Sequence, residues 1–242
     1  QVNRLIGLSV AKYARAWRKA NQLPKGKRFS LLHTADGTLI PVIHGFSHLA
    51  LPRPDDWPQT ASICGYWHTQ DDDDYEPSPE LSTFLETGPP PVYVGFGSMT
   101  GRDPERLARI VIEALQSAGV RGILATGWGG MEIKALPQGM IAVDQVPHSW
   151  LFSRVCGVVH HGGAGTTAAA LRAGKPSIVI PFFGDQPFWG NRVHSLGAGA
   201  APIPLKKLTV ERLAAGIREV TTNQTIIEHA AALGANLREE HG

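Results

Sequence analysis

The sequence predicts an α/β fold in which a parallel sheet carries helices on both faces. Between residue 91 and the C-terminus, five short runs of branched apolar residues alternate with stretches of helical periodicity. Buried parallel strands have this composition, and strand–helix alternation gives a sheet that is covered on both sides. Ligands bind such a sheet at the carboxyl ends of its strands. Glycine-containing loops follow three of the predicted strands, so the candidate site lies at that edge.

The individual elements follow from local patterns. Strands are predicted at residues 92–96, 122–126, 140–143, 155–159 and 177–180. The helix after the first strand has the clearest limits, because Asp103 can cap it, Pro104 fits its first turn and Gly119 can end it. Further helices are predicted at residues 3–20, 165–173, 187–196, 209–220 and 224–238.

The first 90 residues lack the strand–helix alternation of the later part of the sequence. Two apolar runs, 31–32 and 40–43, flank residues 35–38, which have turn chemistry. Residues 52–91 are rich in proline and include four consecutive aspartates at 71–74. We expect an irregular connector here, with the aspartates forming a solvated face and no metal site.

Composition limits the function classes. A hydrophobic content of 43% and a charged content of 18% fit a globular protein, and a net charge of +2 gives no reason to expect a nucleic-acid partner. Residues 1–30 contain eight Lys or Arg and no acid. We expect a solvated or interdomain helix there, with contact to anionic lipid as the alternative.

The same features suggest a cytoplasmic protein. No apolar run approaches the roughly 18–20 residues that span a bilayer, and the N-terminal residues lack signal-peptide order. The two cysteines cannot form a disulfide framework. We therefore expect a cytoplasmic location, with peripheral membrane contact as the alternative. Because residue 1 falls inside a predicted helix, we also expect that the natural chain continues upstream.

The first glycine loop, GFGSMTG at residues 95–101, directly follows a strand. Its spacing is GxGxxxG, and the second strand is followed by TGWGG without an acid for a ribose diol, which disfavours a dinucleotide-dependent oxidoreductase. No Lys-Ser or Lys-Thr pair follows, so a P-loop is also disfavoured. Ser98 could offer an anion its hydroxyl and its backbone N–H, although a plain tight turn would look the same.

The second loop, HHGGAGTT at residues 160–167, joins a strand to a helix. Small residues let the backbone approach a phosphate, and the N–H groups of the helix's first turn are free to bind it. A histidine of this loop could hydrogen-bond a phosphate oxygen, while Thr166 and Thr167 could add hydroxyls or cap the helix. The chemistry favours phosphate binding over a glycine-rich connection with core histidines.

The third loop, PFFGDQPFWG at residues 181–190, again follows a strand. Asp185 and Gln186 are polar residues among aromatic ones, a composition suited to binding sugar hydroxyls beside an apolar surface. Gly184 and Asp185 alone could equally form a turn.

Taken together, the ordered motifs VYVGFGSM, DQVPHSWLF, HHGGAGTT, LRAGKPSIVIPFFGDQ and FWGNRV resemble the donor domain of GT-B glycosyltransferases. The resemblance is to sterol glucosyltransferases and to bacterial enzymes that glycosylate macrolide and glycopeptide antibiotics. It implies a Rossmann-like C-terminal GT-B domain together with the end of the N-terminal domain. The implied boundaries are a remnant of the acceptor domain at 1–52, a linker at 53–90, the donor domain at 91–222, and a C-terminal helix at 223–242 that packs back toward the N-terminal domain.

The resemblance also implies roles for particular residues. The diphosphate would contact Gly97, Ser98, His161, Gly163, Gly165 and Thr166. The nucleoside would contact Gly127, Trp128 and the backbone of Val146, and the sugar hydroxyls would contact Asp185 and Gln186. Gln145 stands where plant relatives stack a tryptophan on uracil, and Ala169 stands where they bind the ribose with a glutamate. A dTDP-sugar therefore remains an alternative to a UDP-sugar.

The implied activity is metal-independent, inverting transfer of a hexose. Glucose from UDP-glucose is the expected donor group, and the acceptor is a hydroxyl of a lipophilic molecule such as a sterol, terpenoid or polyketide. No cofactor is expected. The family's general base is a histidine near the start of the first domain, a motif that none of the ten histidines matches. The alternative is therefore a non-catalytic fragment that binds the nucleotide sugar and needs a separate N-terminal domain for activity.

Overall fold

The computed structural model describes residues 2–24, 33–34, 36–68, 75–99, 103–127, 131 and 136–242, with side chains from residue 11 onward. Its strands are β1 (Val42–His44), β2 (Ala61–Ile63), β3 (Val92–Gly95), β4 (Gly122–Ala125), β5 (Met140–Val143), β6 (Gly157–His160) and β7 (Ser177–Val179). Its helices are α1 (Val2–Ala20), α2 (Pro79–Glu86), α3 (Pro104–Ala118), α4 (His148–Phe152), α5 (Ala164–Arg172), α6 (Gln186–Ser195), α7 (Val210–Thr222) and α8 (Gln224–Arg238).

The main sheet has five parallel strands in the order β5-β4-β3-β6-β7, which confirms the predicted parallel α/β arrangement. The chain runs outward from β3 to β5 and then returns to place β6 on the other side of β3. Sheets of this kind bind ligands in the crevice where the strand order reverses. Gly95, which ends β3, is paired with His160, which ends β6. A ligand site is therefore expected in the crevice beside this pair.

Both faces of the sheet are buried, as its composition predicts. Successive residues of a strand point to opposite faces, so Val92 and Val94 contribute to one core cluster and Tyr93 to another. The first cluster joins the sheet to α3 and α7, whose mutual contact is the most extensive between any two helices of the described residues. The second joins it to α2 and α4 through Leu81, Leu151 and Phe152.

The predicted strands and helices of residues 91–242 are all present, with ends within two residues of the prediction, and the helix predicted at 3–20 is α1. The expectation of an irregular connector is wrong at β2 and α2. Proline is compatible with a first helical turn, and Ser78 Oγ accepts the Leu81 N–H at 3.2 Å, so Pro79 begins α2. The sequence also does not predict α4, whose five residues are too few to show helical periodicity.

The part of the chain before β3 differs from the prediction in detail. A turn at residues 36–38 is present, with one antiparallel bridge between His33 and Leu39. The apolar run 31–32 and the aspartates 71–74 lie outside the described residues. β1 pairs in parallel with β2, which is distant in sequence. Among the described residues, no helix is long and apolar enough to cross a bilayer.

The C-terminal helix packs closely on α5 and on residues that precede β3. Ala230 and Leu237 of α8 share a core cluster with Ala50 and Tyr66. A methyl group on Gly234 would lie 2.4 Å from the Cα of Gly174. The resemblance implies that this helix packs back toward the N-terminal domain, and several residues of its apolar face are already buried against the elements described here.

Three polar contacts connect the residues after β1 to α6 and to the segment after α8. Glu240 Oε1, just after α8, accepts a hydrogen bond from Ser47 Oγ at 2.7 Å and lies 3.1 Å from His48 Nδ1. Arg192 Nε, on α6, donates to the backbone carbonyl of Ala50. Residues 47–50 are therefore bonded to both α6 and the end of α8.

The close crossing of α8 and α5 predicts that Gly234→Ala destabilises the protein. The added methyl group would meet backbone atoms, which cannot rotate away, so we expect a loss of about 1–3 kcal/mol in the free energy of unfolding. The matched control is Gly165→Ala, where a methyl group has no atom within 4 Å and alanine's higher helix propensity should stabilise the protein slightly. Urea denaturation measures both. Gly234→Ala being as stable as the parent would contradict the close crossing.

Candidate functional site at the switch point

Three loops meet at the carboxyl ends of β3, β6 and β7. A methyl group on Gly97 would lie 3.4 Å from His161 Cε1, which brings the first and second loops together. Gln186 Nε2 of the third loop lies 3.4 Å from Met99 Sδ of the first. A methyl group on Gly162 would lie 3.0 Å from the Gln186 carbonyl, so the second and third loops are also in contact. The three predicted loops therefore form one cluster.

The His161 ring lies among these loops. It fits there only because its neighbours are glycines: a methyl group on Gly163 would lie 2.4 Å from Nε2. Its Nδ1 is buried and has no hydrogen-bond partner among the described residues. Burial lowers the pKa of His161, and the nearby Asp185 carboxylate partly opposes this shift. The ring is thus held neutral, with unused capacity to bind a proton if an anion comes near.

The N-terminus of α5 opens toward the same cluster. Gly163 caps the helix without a side-chain hydrogen bond, and Ala164 and Gly165 are exposed. The N–H groups of a first helical turn have no partner within the helix and carry a partial positive charge. Thr166 lines the adjoining cavity, whereas Thr167 donates its hydroxyl to the Gly163 carbonyl at 2.9 Å. Thr166 is therefore the threonine that can reach a ligand.

A cavity of about 560 Å³ adjoins this helix end; we call it the switch-point cavity. Gly97, Gly127, Val146 and Thr166, four of the predicted site residues, line it. The rest of its described wall comprises Tyr75, Tyr93, Gly95, Ala125, Val143, Asp144, Gln145, Pro147 and His148. Ser98 is exposed in the turn after β3, and Trp128 lies outside the described residues. The cavity thus extends from the α5 N-terminus to the ends of β4 and β5.

Tyr93 and the His148 ring are wall residues that the sequence does not single out. Tyr93 Oη lies 3.3 Å from His148 Nε2, and burial raises the pKa of the tyrosine to about 12. A methyl group on Gly95 would lie 2.2 Å from Tyr93 Oη, so only glycine leaves room for this ring. A tyrosine two residues before a glycine within a buried strand is the signal that could have identified it.

Asp185 and Gln186 differ in what they can offer a ligand. Asp185 is exposed, and its Oδ2 accepts the Trp189 Nε1–H at 3.0 Å. Gln186 is buried, and its Oε1 accepts the backbone N–H groups of Phe182 at 2.7 Å and Phe183 at 3.1 Å. The Gln186 amide therefore holds the shape of the third loop, while Asp185 presents a carboxylate beside His161.

Comparison with known proteins finds sequence similarity to glycosyltransferases. The family described as erythromycin biosynthesis protein CIII-like, C-terminal domain, matches residues 123–240. The sterol 3-beta-glucosyltransferase UGT80A2 of Arabidopsis thaliana is 41% identical over 207 residues, which cover 85% of this chain and 32% of the relative. The sterol 3-beta-glucosyltransferase of Aspergillus clavatus is 40% identical over 246 residues, which cover 97% of this chain and 17% of the relative. The chain therefore spans about a third or less of the length of these relatives.

Solved structures show the same fold. The glycotransferase of kitacinnamycin superimposes with a TM-score of 0.70 at 20% identity, covering 96% of this chain and 59% of the other. CalG4, the calicheamicin glycosyltransferase, superimposes with a TM-score of 0.68 at 15% identity, and the match covers 95% of this chain and 60% of CalG4. The chain is thus similar in sequence to the sterol 3-beta-glucosyltransferases and has the fold of the GT-B glycosyltransferases.

Proposed function

We propose that this chain is the donor-binding part of an inverting, metal-independent glycosyltransferase that moves glucose from UDP-glucose to a hydroxyl of a lipophilic acceptor. The observation that carries the proposal is the open α5 N-terminus, which lies beside a cavity of about 560 Å³ and beside His161, whose Nδ1 has no hydrogen-bond partner among the described residues. The sterol glucosyltransferase relatives support glucose and a sterol-like acceptor, and a terpenoid or polyketide is the wider class.

The diphosphate would lie at the α5 N-terminus. Free N–H groups of the first turn, the Thr166 hydroxyl and the Ser98 side chain would bind its oxygens. As the bond between the sugar and UDP breaks, negative charge grows on the departing diphosphate. A helix N-terminus is already oriented toward that charge, so it stabilises the transition state more than the bound substrate.

The nucleoside would occupy the switch-point cavity. Gly127 and the backbone of Val146 line its far end, where polar groups of the main chain can pair with a base edge. The cavity wall includes Gln145 and no described tryptophan, so stacking on the base would come from another ring, such as Tyr75. The sugar would then extend toward Asp185, whose exposed carboxylate can accept hydrogen bonds from hydroxyl groups.

Deprotonation of the acceptor hydroxyl requires a base on the side opposite the donor, because inversion needs attack from that face. We assign this base to a part of the enzyme outside the chain, in the N-terminal domain. The histidines at the switch point, His148, His160 and His161, lie beside the proposed donor site, so we do not assign the base to them. The alternative function, a nucleotide-sugar-binding fragment without activity of its own, follows from the same assignment.

Calorimetric titration of the chain with UDP, UDP-glucose and NADH tests the proposal. We expect UDP and UDP-glucose to bind, NADH not to bind, and EDTA to leave the affinities unchanged. Turnover should appear only when the N-terminal domain is supplied. If the folded chain does not bind UDP, the proposed donor site is excluded. If the chain alone turns over substrate, the base lies within the chain.

Replacing Thr166 by the isosteric valine should weaken UDP binding about tenfold and leave uridine binding unchanged, because only the diphosphate loses a hydroxyl donor. Thr225→Val is the matched control: this exposed threonine also lies in the first turn of a helix, α8, far along the chain from the loops. Calorimetry with both ligands reads out the difference. Equal losses of UDP and uridine affinity would mean that Thr166 does not contact phosphate.

The affinity for UDP-glucose should rise as the pH falls. Burial keeps the pKa of His161 below its usual value in the free protein, and a bound diphosphate would raise it, so binding takes up a proton between the two pKa values. One proton changes the dissociation constant at most about tenfold per pH unit. UDP-glucose is used because a terminal phosphate itself titrates near about pH 6.

Two variants make this pH measurement specific. The His161→Gln variant should lose the pH dependence of UDP-glucose affinity. The control variant His48→Gln, at an exposed histidine, should keep it. Titrations in buffers of different ionisation enthalpy count the protons taken up. A pH profile that survives His161→Gln unchanged would show that another group is responsible.

A further inference from the structure

The first histidine of the HHGG sequence has no part in the function proposed above, yet it is completely buried at the centre of the site. His160 ends β6, opposite Gly95 on β3, and its side chain is 0% exposed. Its Nδ1 accepts a hydrogen bond from the backbone N–H of Gly162 at 3.1 Å. The ring therefore cannot touch a ligand, but it is bonded to the loop that would.

This hydrogen bond fixes the protonation of the ring. An Nδ1 that accepts a hydrogen bond carries no proton, so the proton of the neutral ring is on Nε2. Burial lowers the pKa of His160 to about 3, with His161 and His148 adding to the effect, which keeps the ring neutral. The buried Nε2 has no hydrogen-bond partner among the described residues. An unpaired buried donor weakens the folded state, so simple core filling would be served better by an apolar side chain.

The hydrogen bond also closes a small loop around His161. It links the side chain of one residue to the N–H two residues later, as aspartate and asparagine do in Asx turns. Gly162 has a φ of 89°, which favours glycine, and a methyl group there would lie 2.6 Å from Val179 Cγ1. The next residue, Gly163, is the N-cap of α5. The His160–Gly162 bond thus holds the midpoint of the segment between the end of β6 and the start of α5.

We propose that His160 is a positioning residue whose ring, through the His160–Gly162 bond, sets the direction of His161 and of the α5 N-terminus toward the donor diphosphate. The inference rests on the proposed donor site. It assigns to the first histidine a role that depends on Nδ1 alone. Loss of the bond should leave the loop able to adopt other backbone conformations, and binding would then have to select the productive one.

Two amide variants separate the two ring nitrogens. In His160→Asn, the side-chain oxygen occupies the place of Nδ1 and can still accept the Gly162 N–H. In His160→Gln, the amide reaches the place of Nε2, so the Gly162 N–H loses its acceptor. We expect His160→Asn to bind UDP within about threefold of the parent and His160→Gln to bind it about tenfold more weakly, with uridine affinity unchanged in both.

The outcomes are decisive in both directions. Equal loss of UDP affinity in the two variants would mean that the ring acts through its bulk, and parent-like UDP affinity in His160→Gln would show that the bond is not needed. A loss for uridine as large as for UDP would indicate general damage to the site. Each of these results overturns the positioning role. Thermal unfolding measured alongside checks that both variants are folded.

A measurement on the unaltered chain tests the bond even if both variants fail to fold. Nitrogen-15 NMR of the histidine rings should show His160 neutral, with its proton on Nε2, and the Gly162 amide should exchange slowly with solvent. A proton on Nδ1 would overturn the inference. This result does not depend on ligand, so it remains informative if the parent chain binds no UDP, which would exclude the donor site itself.

Discussion

The pairing of β3 with β6 at the point where the strand order reverses is the constraint on which the site depends. It brings the end of one strand, Gly95, beside the end of the other, His160, although 64 residues separate them along the chain. The loops after both strands must then share a small volume, and glycine is needed where one loop meets the ring of the other. Gly95 leaves room for Tyr93, and Gly97 and Gly163 leave room for His161. The glycines therefore serve close packing of side chains as much as turn conformation.

The described residues of this crevice favour negative charge, although no fixed positive charge is among them. The α5 N-terminus supplies aligned N–H groups, and the pKa shifts of His160 and His161 keep both rings neutral in the absence of ligand. Dipoles fixed in place require little rearrangement when charge develops on a ligand. A neutral histidine beside them can take up a proton as the anion arrives, so the positive charge appears in the site only when a ligand is bound.

Much of the fold could be predicted from the sequence, because buried parallel strands and amphipathic helices carry strong periodic patterns. The location of the three loops followed from the strand ends. What could not be predicted were contacts that depend on the direction of a side chain. Gln186 turns inward to bond Phe182 and Phe183, whereas Asp185 points to solvent, and adjacent letters in the sequence do not distinguish them. Likewise, the tautomer of His160 depends on a single backbone N–H.

Helix α6 connects two places that are far apart in the sequence. At its start lie Asp185 and Gln186 of the third loop, and near its other end Arg192 is bonded to Ala50. An α-helix of ten residues is a stiff rod about 15 Å long. Residues 47–50 are therefore bonded to the same helix that Asp185 caps. A shift of α6 through the Arg192–Ala50 bond would therefore move the Asp185 carboxylate as well.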